Sequence, residues 1–120
     1  MSIAAVVGIV ALGVALGMAV IVVIKVTVKA LVKLVKRIRD KNASKVIVAD
    51  VQELIDGCTN RKSFKEMEKL ADDGITHIVA GVDKDNNLVD TIQLIKNEDD
   101  EVPYEVMSLL GDEGMVVIED

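Results

Sequence analysis

The chain has 120 residues, of which 51% are hydrophobic and only 2% aromatic, and its net charge is −6. This apolar content excludes a disordered protein, and an acidic chain with so few aromatic side chains is not expected to bind nucleic acid. The single cysteine excludes an intrachain disulfide framework. Residues 1–44 hold seven bases and one acid, whereas residues 45–120 hold seven bases and nineteen acids. This asymmetry predicts two parts in different environments.

Residues 1–24 contain no charged side chain. As one helix, the stretch from Ile3 to Ile24 would be about 33 Å long, enough for a hydrocarbon core of about 30 Å. The Lys/Arg cluster follows this stretch instead of preceding it, which favours a permanent anchor over a cleaved signal peptide. We therefore predict a single transmembrane helix over 1–24, with the N-terminus outside and the C-terminal domain cytoplasmic. The alternative is a hydrophobic, β-rich core segment.

Small residues recur along one face of the predicted span. Gly13 and Gly17 form a GxxxG step, and further small residues lie at spacings of three and four. Such a face lets helix backbones approach closely, which predicts self-association of the span. The predicted helix-packing residues are Ala4, Gly8, Ala11, Gly13, Ala15, Gly17 and Ala19.

Residues 25–41 read as a basic amphipathic juxtamembrane helix that continues the span. Apolar residues step by four and three from Ile24 to Ile38, and lysines gather on the opposite face. The apolar stripe could pair with a neighbouring helix, while the basic face could remain solvated or contact anionic headgroups. The predicted headgroup contacts are Lys25, Lys29, Lys33, Lys36, Arg37 and Arg39.

A hinge is predicted over 42–44, followed by an acidic domain over 45–120. The β-branched residues of 45–49 predict a strand, and Asp50 three residues before Glu53 has the spacing of a capping box that starts a short helix ending at Gly57. One helix over 45–56 remains open as an alternative, because the apolar residues there also fit a helical stripe.

The rest of the domain alternates between helical and strand patterns. Ser63 and Glu66 predict the start of a helix that stops at Gly74, and two alternating runs joined by KDNN predict a hairpin. Pro103 suits the first turn of a second helix, and MVVIE reads as the final strand. The predicted fold is therefore a single transmembrane α-helix plus a small α+β domain, whose β-α-β-β-α-β order resembles that of ferredoxin-like domains.

No constellation for catalysis, cofactor binding or metal binding is visible in the sequence. The calcium-like spacing after Asp83 lacks the required glycine and glutamate, and a hairpin turn is the expected alternative. His77 is the only histidine and reads as a strand residue, and Cys58 has no second thiol or nearby histidine in the sequence. The acidic run over 98–101 reads as a solvated loop. The protein is therefore predicted not to be an enzyme.

These patterns predict a membrane-anchored cytoplasmic protein-interaction or regulatory module. The alternative is a small membrane-active pore or effector subunit, and an enzyme built on His77 or Cys58 is the third hypothesis. The expected partners are the lipid bilayer, further copies of the chain and an unidentified protein; nucleic acid is not expected.

Overall fold

A computed structural model describes residues 2–119, which form five helices and five strands in one mixed sheet. The helices are α1 (Ile3–Leu16), α2 (Val28–Arg39), α3 (Val51–Asp56), α4 (Arg61–Asp72) and α5 (Tyr104–Leu110). The strands are β1 (Ala19–Ile24), β2 (Lys45–Asp50), β3 (Ile75–Val82), β4 (Leu88–Lys96) and β5 (Met115–Glu119). The sheet order is β1-β4-β3-β2-β5, in which β1 is parallel to β4 and all other neighbours are antiparallel.

Helices cover both faces of the sheet. Successive side chains of a strand point to opposite faces, so Ile47 of β2 lies in a cluster with α1, α3 and α4, whereas Val46 and Val48 lie in a cluster with α2 and α5. This two-sided burial explains why residues 46–49 of β2 form a continuous apolar run.

The predicted transmembrane helix is wrong. The helix that starts at Ile3 ends after 14 residues, because Gly17 takes a left-handed φ of 65° and the Met18 N–H donates to the Gly13 carbonyl. The β-branched run that follows is a strand paired with β4. Among residues 2–119, no helix is long and apolar enough to cross a membrane.

The small residues of this segment do not form one helix-packing face. Ala11 and Gly13 are buried, and a Cβ on Gly13 would lie 2.9 Å from the Leu88 Cδ2, so this glycine lets α1 approach β4. Gly17 ends the helix, and Ala19 belongs to β1. The remaining three, Ala4, Gly8 and Ala15, are exposed.

The amphipathic pattern does form a helix, α2, but its apolar stripe packs on the sheet. Leu31, Val35 and Ile38 are buried in the core, so the stripe is not available to a membrane or a partner helix. Five of the six predicted headgroup residues (Lys25, Lys29, Lys33, Lys36 and Arg37) are exposed, and Arg39 is half-buried. Contact of this basic face with headgroups stays a prediction.

The predicted hinge over 42–44 is a tight turn. Asn42 has a φ of 70°, Ala43 is buried, and the Ser44 N–H donates to the Val82 carbonyl over 2.8 Å. The chain therefore passes directly from α2 into the strand that starts at Lys45.

Several elements after residue 44 lie where the sequence predicts them. Asp50 caps α3, so the single helix over 45–56 is wrong, and the hairpin of β3 and β4 and the final strand are present. Helix α4 begins three residues earlier than predicted, because Asn60 rather than Ser63 accepts the capping hydrogen bond. Pro103 is the N-cap of α5 and not its first helical residue.

The ferredoxin-like arrangement is wrong. Helices α4 and α5 lie on opposite faces of the sheet, and β2 pairs with β3, the next strand along the chain. The extra strand β1 completes the far edge. The membrane keywords, the single-pass topology, the membrane-anchored function and the pore alternative all require a span, and they are wrong for the same reason.

Candidate functional site

A cleft opens at the end of the sheet where β2 ends and β3 begins. It consists of a cavity of about 470 Å³ and an adjoining one of about 330 Å³, which share Asp50, His77 and Val102. The larger cavity continues under α5 and the turn behind it. Its other lining residues are Glu53, Tyr104, Met107, Ser108, Leu110, Gly111, Asp112 and Gly114.

Asp50 lines both cavities and is held in place by two hydrogen bonds, one from its backbone N–H and one to its carboxylate. Its N–H donates to the Gly114 carbonyl over 2.8 Å, and its Oδ1 accepts from the Gln52 N–H over 2.8 Å as the N-cap of α3. Because Oδ1 caps the helix, Oδ2 is the oxygen left for a ligand.

His77 lies beside Asp50, since the two are directly paired residues of β2 and β3. The imidazole is only 4% exposed, although it borders both cavities. Its Nδ1 lies 2.9 Å from the Thr76 Oγ1, and that hydroxyl donates to the Leu94 carbonyl over 3.5 Å. The direction of the hydrogen bond between Nδ1 and the Thr76 hydroxyl depends on the ring tautomer, and the other ring nitrogen, Nε2, has no protein partner in the described structure.

Burial lowers the pKa of His77, and the negative charge of Asp50 opposes this shift. The lowered pKa means that the ring is neutral at pH 7. The carboxylates of Asp50 and Glu53 present acceptors to a ligand in this lining, and a neutral imidazole does not offer a positive charge to an anion.

The turn between α5 and β5 closes one side of the cleft. Gly114 has a φ of 66° and is packed so tightly on Glu53 that an added Cβ would lie 2.6 Å from the Glu53 Cβ. This contact holds the turn against α3 and keeps Glu53 at the rim of the cavity.

The charges that line the two cavities have one sign. Asp50, Glu53 and Asp112 are the acids of the lining, and no Lys or Arg belongs to it. In the described part of the chain no three acidic, histidine or cysteine side chains are grouped to hold a metal ion. The site therefore suits an organic cation better than a metal or an anion.

A second, mostly apolar groove of about 560 Å³ lies between α2 and α5, and its lining includes Leu31, Val35, Leu109 and Ile118. Its polar members, Lys36, Arg39 and Asp40, belong to the last turn of α2 and its C-cap. Because polar groups do not converge inside the groove as they do in the cleft, we place the candidate site in the cleft.

None of the residues predicted for helix packing or headgroup contact lines the cleft. Cys58 also lies outside it: the thiol donates to the Leu54 carbonyl, and burial raises its pKa, which makes it a poor nucleophile. The side chain of Asp83 accepts from the Asp85 and Asn87 N–H groups, which confirms the hairpin turn.

The sequence interpretation treated Asp50 as a helix cap and His77 as an ordinary strand residue, so the cleft was missed. One signal was present, since His77 is the only titratable residue of a mostly apolar strand. No protein-family model, curated protein or solved structure matches the chain.

Proposed function

We propose that this protein is a ligand-binding domain whose cleft takes up a protonated alkylamine, either as a small molecule or as a lysine side chain of a partner protein. The observation that carries the proposal is a buried His77 paired with Asp50 in a cleft that is also lined by Glu53 and whose lining contains no basic side chain. The same acidity supports the expectation that nucleic acid is not a partner.

An ammonium group matches this lining chemically. It has three N–H donors and no acceptor, and the cleft offers Asp50 Oδ2 and the Glu53 carboxylate as acceptors, joined by His77 Nε2 when the ring proton is on Nδ1. The alkyl chain of such a ligand would contact Val102, Met107 and Leu110, which form the apolar part of the lining. Tyr104 at the rim adds an aromatic surface that attracts cations.

Binding rather than catalysis is supported by the hydrogen bonds of the polar side chains. Ser108, His77 and Asp50 line one cleft, which resembles the composition of a hydrolase triad. However, the His77 Nδ1 is engaged by Thr76 and not by Asp50, and Ser108 makes no hydrogen bond to the imidazole. Without those bonds the serine is not activated as a nucleophile.

The test is a titration of the full chain, followed by tyrosine fluorescence and by the NMR signals of the histidine ring. Tyr104 is the only tyrosine, the chain has no tryptophan, and His77 is the only histidine, so both signals come from the cleft. The probes are 1,5-diaminopentane and Nα-acetyl-lysine amide, with 1-pentanol and glutarate as neutral and anionic controls. We expect the two amines, and neither control compound, to saturate both signals. If only the diamine binds, the ligand is a small molecule; if only the lysine amide binds, it is the lysine side chain of a partner protein.

Charge-removing variants provide the matched control. Asp50→Asn keeps an N-cap side chain but removes the charge, so α3 stays capped while affinity for the amine falls about tenfold or more. Asp56→Asn removes an exposed charge at the other end of α3, outside the cleft, and should leave the affinity within about twofold. Equal losses in the two variants, or equal binding of glutarate, would contradict the proposal.

A further inference from the structure

Strand β1 forms one edge of the sheet, and the side facing away from β4 has no neighbouring strand in the described structure. Its six residues, AVIVVI, include no charge and no proline. Edge strands of monomeric proteins are usually protected by lysine, proline or a bulge, and β1 has none of these. We propose that β1 pairs antiparallel with β1 of a second copy of this chain, which joins the two sheets into one.

The direction of the backbone groups fixes which residues pair. The Ile24 carbonyl accepts from the Asn97 N–H over 3.2 Å, so the backbone groups of Ile24 face β4. Backbone groups alternate along a strand, so those of Val22 and Val20 face β4 as well. The N–H and C=O groups of Ala19, Ile21 and Val23 therefore point away from the sheet, where a second strand would lie.

These outward groups are self-complementary. A two-fold axis at Ile21 places Ile21 opposite Ile21 of the second copy, and Ala19 opposite Val23. Each of these pairs exchanges two hydrogen bonds, so three outward N–H groups and three outward C=O groups of each copy are satisfied together. No outward-facing residue of β1 is left without a partner in this register.

Side chains and charges agree with the same register. Ile21 and Val23, which are 56% and 62% exposed, lie on the same face of the strand and would be covered by the second copy. The nearest charge, Lys25, would lie opposite Gly17, so the two Lys25 residues are about 27 Å apart and outside the screening length of about 10 Å. The paired surface is smaller than a standard interface, so we expect a dissociation constant in the micromolar range or weaker.

The first test compares Ile21→Pro with Ile21→Ala in the full chain by analytical ultracentrifugation over a concentration series. Proline removes an N–H that faces away from β4 and is tolerated on edge strands, while alanine shortens the side chain but keeps the N–H. As the protein concentration increases, we expect the mass of the wild type to rise from 12.9 kDa toward twice that value. Ile21→Ala should reach the same mass at a higher concentration, and Ile21→Pro should stay monomeric. A wild type that is monomeric at millimolar concentration overturns the proposal and leaves the edge to a strand of another protein.

The second test does not depend on the folding of the proline variant. In a Cys58→Ser background, Ile21→Cys places two thiols on directly opposed residues about 5.5 Å apart at Cα, within disulfide range. Val22→Cys serves as the control, because its thiol lies opposite Val20 of the second copy and not opposite itself. Covalent dimer from Ile21→Cys alone supports the register, and equal crosslinking of both variants, or none of either, overturns it.

Discussion

The packing of α2 on the sheet predicts that its buried leucine stabilises the whole protein. Leu31 is 1% exposed, and Leu31→Ala removes three carbons from the core on the α2 side. At about 0.8 kcal/mol per buried carbon the transfer contribution is about 2.4 kcal/mol, and the residual cavity raises the expected loss of unfolding free energy to about 3 kcal/mol. The neighbouring Val32 is 59% exposed, and Val32→Ala should cost less than about 0.5 kcal/mol because alanine also favours the helix.

Urea denaturation followed by far-UV circular dichroism measures this difference. With an m-value of about 2 kcal/mol per molar, Leu31→Ala lowers the midpoint by about 1.5 M, and Val32→Ala leaves it nearly unchanged. If α2 lay on a membrane or in solvent, neither residue would contribute to the stability of the domain. Two equal midpoint shifts would therefore refute the packing of α2.

Three further predictions concern the cleft and the core. Burial lowers the pKa of His77, so the unfolded chain takes up a proton before the folded protein does as the pH falls. The unfolding free energy is therefore constant just above pH 6.5 and declines below it by at most about 1.4 kcal/mol per pH unit. In urea titrations at several pH values, His77→Gln should remove that decline. Gly114→Ala should destabilise by more than about 1 kcal/mol, because a side chain at φ 66° is strained and meets Glu53; Glu53→Ala should recover part of the loss in a double-mutant cycle. Gly81→Ala adds a methyl group against Ile38 of α2 and should cost about 1–3 kcal/mol in the same denaturation assay, and a neutral result would contradict the close packing there.

Local sequence patterns predicted the elements whose signals lie within a few residues. Asp50 and the apolar residues after it identified α3, and the turn residues between two alternating runs identified the β3–β4 hairpin. The stop at Gly74 was also predicted. In these cases a cap, a turn or an alternation acts through neighbouring residues, so no knowledge of the tertiary structure was needed.

The first 24 residues show why hydropathy alone was insufficient. A long uncharged stretch shows that the segment avoids water, but a lipid core and a protein core supply the same apolar environment. The left-handed turn at Gly17 and the β-branched run after Val20 divide the segment into a helix and a strand, and the β-rich alternative named from the sequence describes its second half. Gly17 and that run were visible in the sequence, but they were read as small residues and lipid-facing residues of one helix.

The candidate sites depend on contacts that the sequence does not encode locally. Asp50 and His77 are 27 positions apart, and they meet because the register of β2 and β3 pairs them. In the same way, β1 becomes an exposed edge only because it pairs with β4 on one side.

The sequence by itself determined the periodicity, the cap of α3 and the turn of the β3–β4 hairpin, because these arise from forces between near neighbours along the chain. The tertiary structure alone decided which apolar face meets which, the order of the strands, and therefore the positions of the cleft and the open edge. The physical reason is that hydrophobic burial is non-directional: it fixes which residues leave water, while strand pairing and close packing decide where they go.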